Sequence, residues 1–336
     1  MRPRIGIVPG DPSGIGPELI AKLLTDETVP EQANLLLIGD RHLWKKGAKQ
    51  ANLPLELSTI SEDEISEFRG ICHLDLETIR PEEVQVAKVT QAGGRSSLRC
   101  LDKAMDLAQA GLIDGILFAP FNKAAMTAAG LNAEDEHRYM ARYLGFEGYH
   151  SEINVLDELM TTRVTSHIRL KDVAQNIDQP AVLRAVDLAY DTLKKAGKRR
   201  PHVAVAALNP HAGDNGKFGR EEIDILEPAV KSCQGRQMHV TGPWPSDTVF
   251  LKAKRGEVDA VVTMYHDQGQ IAIKLLGFER GVTIAGGLPI PVATPAHGTA
   301  FDIAGQNKAN VSATQQAFGL LVRMAETHRA EQENTA

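Results

Sequence analysis

Val203-Ala-Val-Ala-Ala-Leu-Asn-Pro-His-Ala-Gly-Asp-Asn-Gly-Lys-Phe-Gly-Arg220 holds the architecture in miniature. An apolar run of strand length gives way to a Gly/Asn-rich loop carrying His211, and a helix opens near Glu221. Strand runs that feed helices in this way build parallel sheets covered on both faces. Two further apolar runs stop at a histidine: Thr162-Arg-Val-Thr165 before His167, and Ala260-Val-Val-Thr-Met264 before His266. In an open α/β sheet, ligands bind beyond the carboxyl ends of the strands. Three imidazoles delivered there, with Asp267 beside one of them, form a donor set suited to a divalent metal. Three unrelated loop histidines are the alternative, and the residues flanking each one have to decide.

Outward from this stretch the alternation continues. Ile5–Val8, Leu35–Ile38 and Gly115–Ala119 read as strands. Gln179–Ala196, Arg95–Ala110 and Val311–Thr327 carry the apolar stripes of helices, and Gly197 is a C-cap candidate. The fold class that follows is α/β, two-lobed α/β/α with mostly parallel sheets. Pro/Gly-rich junctions at Ala119–Lys123 and Gly286–Pro291 read as hinges. They put residues 1–125 with 298–336 in a first lobe and residues 126–297, with the histidines, in a second, the active site lying in the cleft between. The polar tail from His328 is expected to fray.

The chain has 336 residues, 43% hydrophobic and 24% charged, which is an ordinary globular composition. A formal net charge of −6 without a basic block argues against nucleic acid. Cys72, Cys100 and Cys233 are too scattered for a zinc knuckle or a disulfide framework. No run is apolar enough to span a bilayer, and the N-terminus lacks a signal-peptide core, so a cytoplasmic protein is expected.

Several motifs could carry chemistry. Pro9-Gly-Asp-Pro-Ser-Gly-Ile-Gly-Pro-Glu18 joins a strand to a helix, with Pro17 suited to the first turn. Its backbone N–H groups offer either an anion site or a purely structural turn, and it lacks the dinucleotide spacing. Asn122 and Lys123 follow a strand end, where a lysine can meet a carboxylate or phosphate. Met264-Tyr-His-Asp-Gln-Gly-Gln270 leads to Lys274 at helical spacing. Thr294–Gly305 contains His297-Gly-Thr-Ala300, with Asp302 expected in a following helical turn and Asn310 just beyond. This last stretch resembles the cofactor loop of the isopropylmalate and isocitrate dehydrogenases, which implies NAD(P) contacts from His297, Gly298, Thr299, Asp302 and Asn310.

Together with Thr165-Ser-His167 and Pro245-Ser-Asp-Thr248, these motifs resemble the 4-hydroxythreonine-4-phosphate dehydrogenase family of vitamin B6 biosynthesis along nearly the whole chain. The resemblance implies an isocitrate/isopropylmalate dehydrogenase-like fold and a homodimer with its metal site shared across the interface. Two of the histidines His167, His211 and His266 would come from one subunit and one from the other, around Zn, Mg, Co or Mn. It further implies NAD- or NADP-linked oxidation and decarboxylation of a phosphorylated 3-hydroxy acid, with no membrane partner. Asp247 or Lys123 would move the proton, Asp267 would ligate or orient, and Lys274 and Asn122 would hold substrate.

Departures bear on the substrate. Asp135-Glu-His-Arg138 stands where the family carries a phosphate-binding Gly-His-Thr-Glu stretch, leaving His137 and Arg138 to grip a phosphate. Thr283 and Val292 stand where the family has an asparagine and an arginine. The sequence is thus similar to a second subfamily acting on D-threonate or D-erythronate 4-phosphate. A cis-dihydrodiol carboxylate dehydrogenase of aromatic degradation and a non-catalytic metal- and phosphate-binding protein are the alternatives.

Overall fold

The structure is a computed structural model that describes residues 2–53 and 56–335. The chain forms two compact units, one of Met1–Gly148 with Leu288–Ala336 and the other of Tyr149–Gly287.

In chain order the first unit contains β1 (Arg4–Val8), α1 (Gly16–Leu23), α2 (Val29–Gln32), β2 (Asn34–Ile38), α3 (Arg41–Gln50), β3 (Ser58–Thr59), β4 (Ile71–Leu74), α4 (Gln91–Gln109), β5 (Gly115–Phe118), α5 (Lys123–Ala128) and α6 (Glu136–Tyr143). The second contains β6 (Ser151–Leu156), β7 (Leu159–Arg163), α7 (Gln179–Lys195), β8 (His202–Ala206), α8 (Glu227–Gly235), β9 (His239–Trp244), α9 (Ser246–Lys254), β10 (Ala260–Thr263), α10 (His266–Gly277) and β11 (Val282–Gly286). The chain then returns to the first unit with β12 (Val292–Pro295) and α11 (Ser312–Thr335).

Sheet order in the first unit is β3-β4-β2-β1-β5-β12, every pair parallel. Parallel strands buried on both faces read as continuous apolar runs, and Leu35, Leu36, Leu37 and Ile38 are all fully buried. In the second unit the order is β11-β6-β7-β10-β8-β9. The β11–β6 and β6–β7 pairs are antiparallel, and the remaining three are parallel. Leu159–Arg163 is strand where the sequence suggested 162–165, because the antiparallel hairpin with β6 pulls pairing back toward the turn.

The helices end as their chemistry requires. Beyond α7, Gly197 has φ +97, its N–H reaches the Lys194 carbonyl and the Lys198 N–H reaches Leu193. That is a glycine-capped Schellman end. The C-terminal helix departs from the expected frayed tail and runs to Thr335. Arg329 pairs with Glu333 at 3.0 Å and donates to the Arg2 carbonyl, which ties the last turns down.

The unit boundaries also depart from the hinge-based expectation. Residues 126–148 and 288–297 pack with the first unit and not the second. Tyr139 and Tyr143 of α6 bond Asp102 and Asp106 of α4, at 2.6 and 2.8 Å, and β12 extends the first sheet beside β5. No described helix is long and apolar enough to cross a membrane.

Candidate active site

In the second unit, β7, β10, β8 and β9 are consecutive parallel neighbours, so their carboxyl ends share one edge. Each delivers a candidate there: His167 after β7, His266 at the start of α10 after β10, His211 after β8, and Asp247 in the first turn of α9 after β9. The His167 and His266 rings lie 5.4 Å apart. His211 is exposed on its loop beside the Phe218 ring, at 6.3 Å. Among the described residues no three His, Cys, Asp or Glu side chains are grouped to hold a metal ion. One chain therefore brings together two of the three imidazoles.

The strand ends are locked by residues whose role the sequence pattern does not advertise. Gln268 accepts the Met264 N–H at 2.7 Å and donates to the Ala207 carbonyl at 2.8 Å, joining the ends of β10 and β8. The Thr165 hydroxyl donates to the Met264 carbonyl at 2.7 Å, joining β7 to β10. Arg163, 4% exposed, donates to Ser166 Oγ at 3.0 Å and pairs with Glu152 at 2.5 Å, fixing the turn that carries His167. A buried arginine needs such partners, and its place inside an apolar strand run was the signal available. Asp267 Oδ1 lies 2.6 Å from His266 Nδ1. That contact orients the ring and leaves Nε2 to face a ligand.

The His211 loop has an unusual backbone. His211, Ala212, Gly213, Asp214, Asn215 and Gly216 all have φ between +45 and +90. For residues other than glycine, left-handed backbone costs about 1–2 kcal/mol each. Glu222, 1% exposed, holds the loop's entrance by accepting the Leu208 and Asn209 N–H groups and the Asn209 amide.

Lys274 is exposed on α10, about 12 Å along the axis from His266. Thr283 lies half-buried in β11 opposite Asn154. Exposed apolar side chains crowd the histidine-bearing segments: Ile168 and Leu170 after His167, Phe218 after His211, Ile271 and Leu275 on α10.

In the first unit, β1, β5 and β12 are parallel neighbours and deliver Pro9–Glu18, Asn122–Lys123 and His297–Thr299 to one edge. Asn122 caps α5 through its side-chain oxygen, 3.0 Å from the Ala125 N–H, which leaves its amide as a donor. Arg138 is held by the exposed Glu134 and the half-buried Asp135 at 2.6 and 2.8 Å, so an anion must displace two carboxylates to reach it. Val292 is fully buried in β12 and offers a ligand nothing.

His297 keeps Nδ1 3.1 Å from the Gly298 carbonyl, while its Nε2 is buried without a hydrogen-bond partner. A side chain at Gly298 would meet nothing within 4 Å, so packing of the chain does not require glycine there. Asp302 is exposed in consecutive turns and not in a helical turn, because the 300–306 segment closes bonds three residues apart. Asn310 accepts the Ser312 N–H at 3.0 Å at the entry to α11.

The Pro9–Glu18 turn is not an anion site. The N–H groups of Asp11, Ser13, Gly14 and Ile15 are taken by Pro120, Asp11 and Thr299, and residues 11–20 are buried.

Comparison with known proteins follows the same lines. The profile of the family described as pyridoxal phosphate biosynthetic protein PdxA matches residues 31–321. The chain is 48% identical to a putative 4-hydroxythreonine-4-phosphate dehydrogenase 2 of Pseudomonas aeruginosa, over 98% of each. It is 39% identical to a D-threonate 4-phosphate dehydrogenase of Cupriavidus necator, over 96% of this chain and 98% of that one. A crystal structure of 4-hydroxythreonine-4-phosphate dehydrogenase from Klebsiella pneumoniae superposes with TM-score 0.83 at 34% identity, covering 97% and 98% of the chains. A beta-decarboxylating dehydrogenase from Thermococcus kodakarensis, at 13% identity and TM-score 0.53 over 99% and 98%, shares the fold.

Proposed function

Because this chain belongs to the pyridoxal phosphate biosynthetic protein PdxA family and is a dehydrogenase, we propose that it catalyses metal-dependent, NAD- or NADP-linked oxidation and decarboxylation of a 3-hydroxy acid 4-phosphate. The observation that carries this reading is the delivery of His167, His266, His211 and Asp247 to one sheet edge by four adjacent strands. The preferred substrate is D-threonate or D-erythronate 4-phosphate. Relatives named for D-threonate 4-phosphate match over 96% of the chain, and the buried Val292 cannot supply the polar contact expected of an arginine.

His167, His211 and His266 would hold a divalent cation, which supplies Lewis-acid polarisation of the substrate oxygens when bound. The pairing of two imidazoles in one chain, with His211 apart, supports completion of the set by a second copy of the chain. The apolar side chains around these histidines would be covered in such a homodimer. His297, Gly298, Thr299, Asp302 and Asn310 would bind the dinucleotide, which supplies the hydride acceptor. The unpartnered His297 Nε2 and the open space at Gly298 fit that role.

In the oxidation, hydride leaves C3 and the hydroxyl proton passes to Asp247 or Lys123, both exposed at strand ends. The C1–C2 bond of the resulting 3-oxo acid then breaks. Its electron pair moves into the enolate, carbon dioxide departs, and the same group returns a proton to C2. Asp267 holds the His266 ring throughout. Lys274, Thr283, Asn122, His137 and Arg138 would bind the carboxylate and phosphate, Arg138 exchanging surface pairs that stabilise little on their own. Action in the cytoplasm accords with three free, buried thiols.

The test is absorbance at 340 nm with NAD+ or NADP+ and a divalent metal. The panel contains D-threonate, D-erythronate and 4-hydroxythreonine 4-phosphates and a cis-dihydrodiol carboxylate. Reduction confined to the phosphates and abolished by chelation is the expected result. Reduction with the dihydrodiol alone, or activity indifferent to chelator, overturns the reading.

A further inference from the structure

Glu18 is fully buried, and one oxygen of its carboxylate makes its hydrogen bonds while Oε2 has no hydrogen-bond partner. Oε1 accepts the Ala309 N–H at 2.8 Å and also the Lys22 ammonium at 2.8 Å, one helical turn away. Lys22 in turn donates to the Ala309 carbonyl at 2.9 Å. Donor and acceptor of Ala309 are thus held by one ion pair from α1.

Three residues earlier in the same motif, the Ile15 N–H donates to the Thr299 carbonyl at 3.1 Å. Gly14 packs so tightly there that a Cβ would lie 2.9 Å from the Thr299 Cβ and carbonyl oxygen. Ile15 and Leu19 form a small core with Ala304 and Ala309, burying the inner side of the intervening segment. Both ends of residues 299–309 are therefore pinned to α1 and its entry turn, while Gly298, Asp302 and Asn310 stay exposed.

We propose that Glu18, with Lys22, is a positioning residue for the dinucleotide, clamping Ala309 so that the segment from His297 to Asn310 is preformed before the cofactor arrives. This inference rests on the reading of that segment as the dinucleotide loop. Preformation lowers the ordering cost charged to binding, so its loss appears in cofactor affinity and not in chemistry. No contact of Glu18 with substrate or cofactor is required.

Titration of the full-length protein with NADH and NADPH, alongside steady-state kinetics and thermal unfolding, tests the clamp. Glu18→Gln keeps an oxygen for the Ala309 N–H but loses the Lys22 ion pair, and should weaken dinucleotide binding up to about tenfold, the scale of charge assistance to a buried hydrogen bond. Its KM for the hydroxy acid and its kcat at saturating dinucleotide should stay within about twofold of the parent. Gly14→Ala, which pushes on Thr299 from the other end, should give the same split and stands in if Glu18→Gln does not fold. His297→Ala serves as the control. Unchanged affinity in His297→Ala defeats the loop reading and the proposal with it. Weakened affinity in His297→Ala beside unchanged affinity in Glu18→Gln and Gly14→Ala defeats the clamp alone, as does a parallel fall in every kinetic constant.

Discussion

The Glu222 carboxylate accepts the Asn209 backbone N–H at 2.7 Å and its side-chain amide at 2.9 Å. It thereby holds the backbone and side-chain donors of Asn209, two residues before the left-handed run that begins at His211. A side chain at Gly213 would come 2.7 Å from the same carboxylate, so the run is moulded around it. Glu222→Gln presents an N–H where Asn209 already offers one. Stability should fall by about 1–3 kcal/mol, the usual cost of a buried donor left without an acceptor. Turnover should drop further than stability, because His211 loses its fixed position. Thermal unfolding and kcat measured together check this. A loss of stability with full turnover would show that the loop needs no such anchor.

Asp267 and His266 make the next prediction. A carboxylate 2.6 Å from Nδ1 sets which ring nitrogen carries the proton. Asp267→Asn keeps the shape but no longer favours that tautomer. If His266 holds the proposed metal, affinity should fall about 10- to 100-fold, the usual effect of removing the partner of a metal-bound imidazole. Zinc titration against a competing chelator measures it, and an unchanged affinity would exclude the orienting role.

The fold was legible because the signals that encode it are local and repeated. Val203–Ala206 and Ala260–Thr263 are apolar on both faces, which is what central parallel strands require. The three histidines stood out for the same reason, since each interrupts such a run. What the sequence concealed is long-range. Glu222 looks like any helix-opening acid until Leu208 and Asn209 are seen to donate to it. Gln268 reads as a polar helix residue, yet it joins two strand ends. The Pro9–Glu18 turn looked open to an anion because nothing local reveals that Thr299 and Pro120 take its N–H groups. Unit boundaries at 148 and 287 were hidden likewise, being set by packing of α6 on α4 and of β12 on β5.

Gly298 separates a ligand's demands from the fold's. Its backbone is not left-handed, and a Cβ there meets only open space. Gly298→Val should leave the thermal midpoint within experimental error of the parent. It should raise KM for the dinucleotide about tenfold or more, because two methyl groups would occupy the room that the proposed function gives the cofactor. Equal dinucleotide KM in the two proteins would remove Gly298 from the binding surface.

Asp11 gives the chain a pH dependence of definite sign. Burial pushes its carboxyl from 3.8 up to about 6, against the lowering effects of the Ser13 hydrogen bonds and the Lys46 charge. Its Oδ2 is buried without a hydrogen-bond partner, so burial outweighs what stabilises the anion. The folded state therefore binds this proton more tightly than the unfolded chain does. The stability so contributed is complete below pH 3.8 and is lost as pH rises through about 6. The loss amounts to about 3 kcal/mol, since each tenfold difference in proton affinity between the folded and unfolded chain is worth about 1.4 kcal/mol. Asp11→Asn retains an oxygen to accept the Ser13 N–H and carries no charge to bury. Its thermal midpoint should exceed that of the parent at pH 8, and the difference between the two proteins should shrink as pH falls from 6 toward 4. A variant less stable than the parent at pH 8 would mean that the Asp11 anion is compensated, and that Lys46 is its partner.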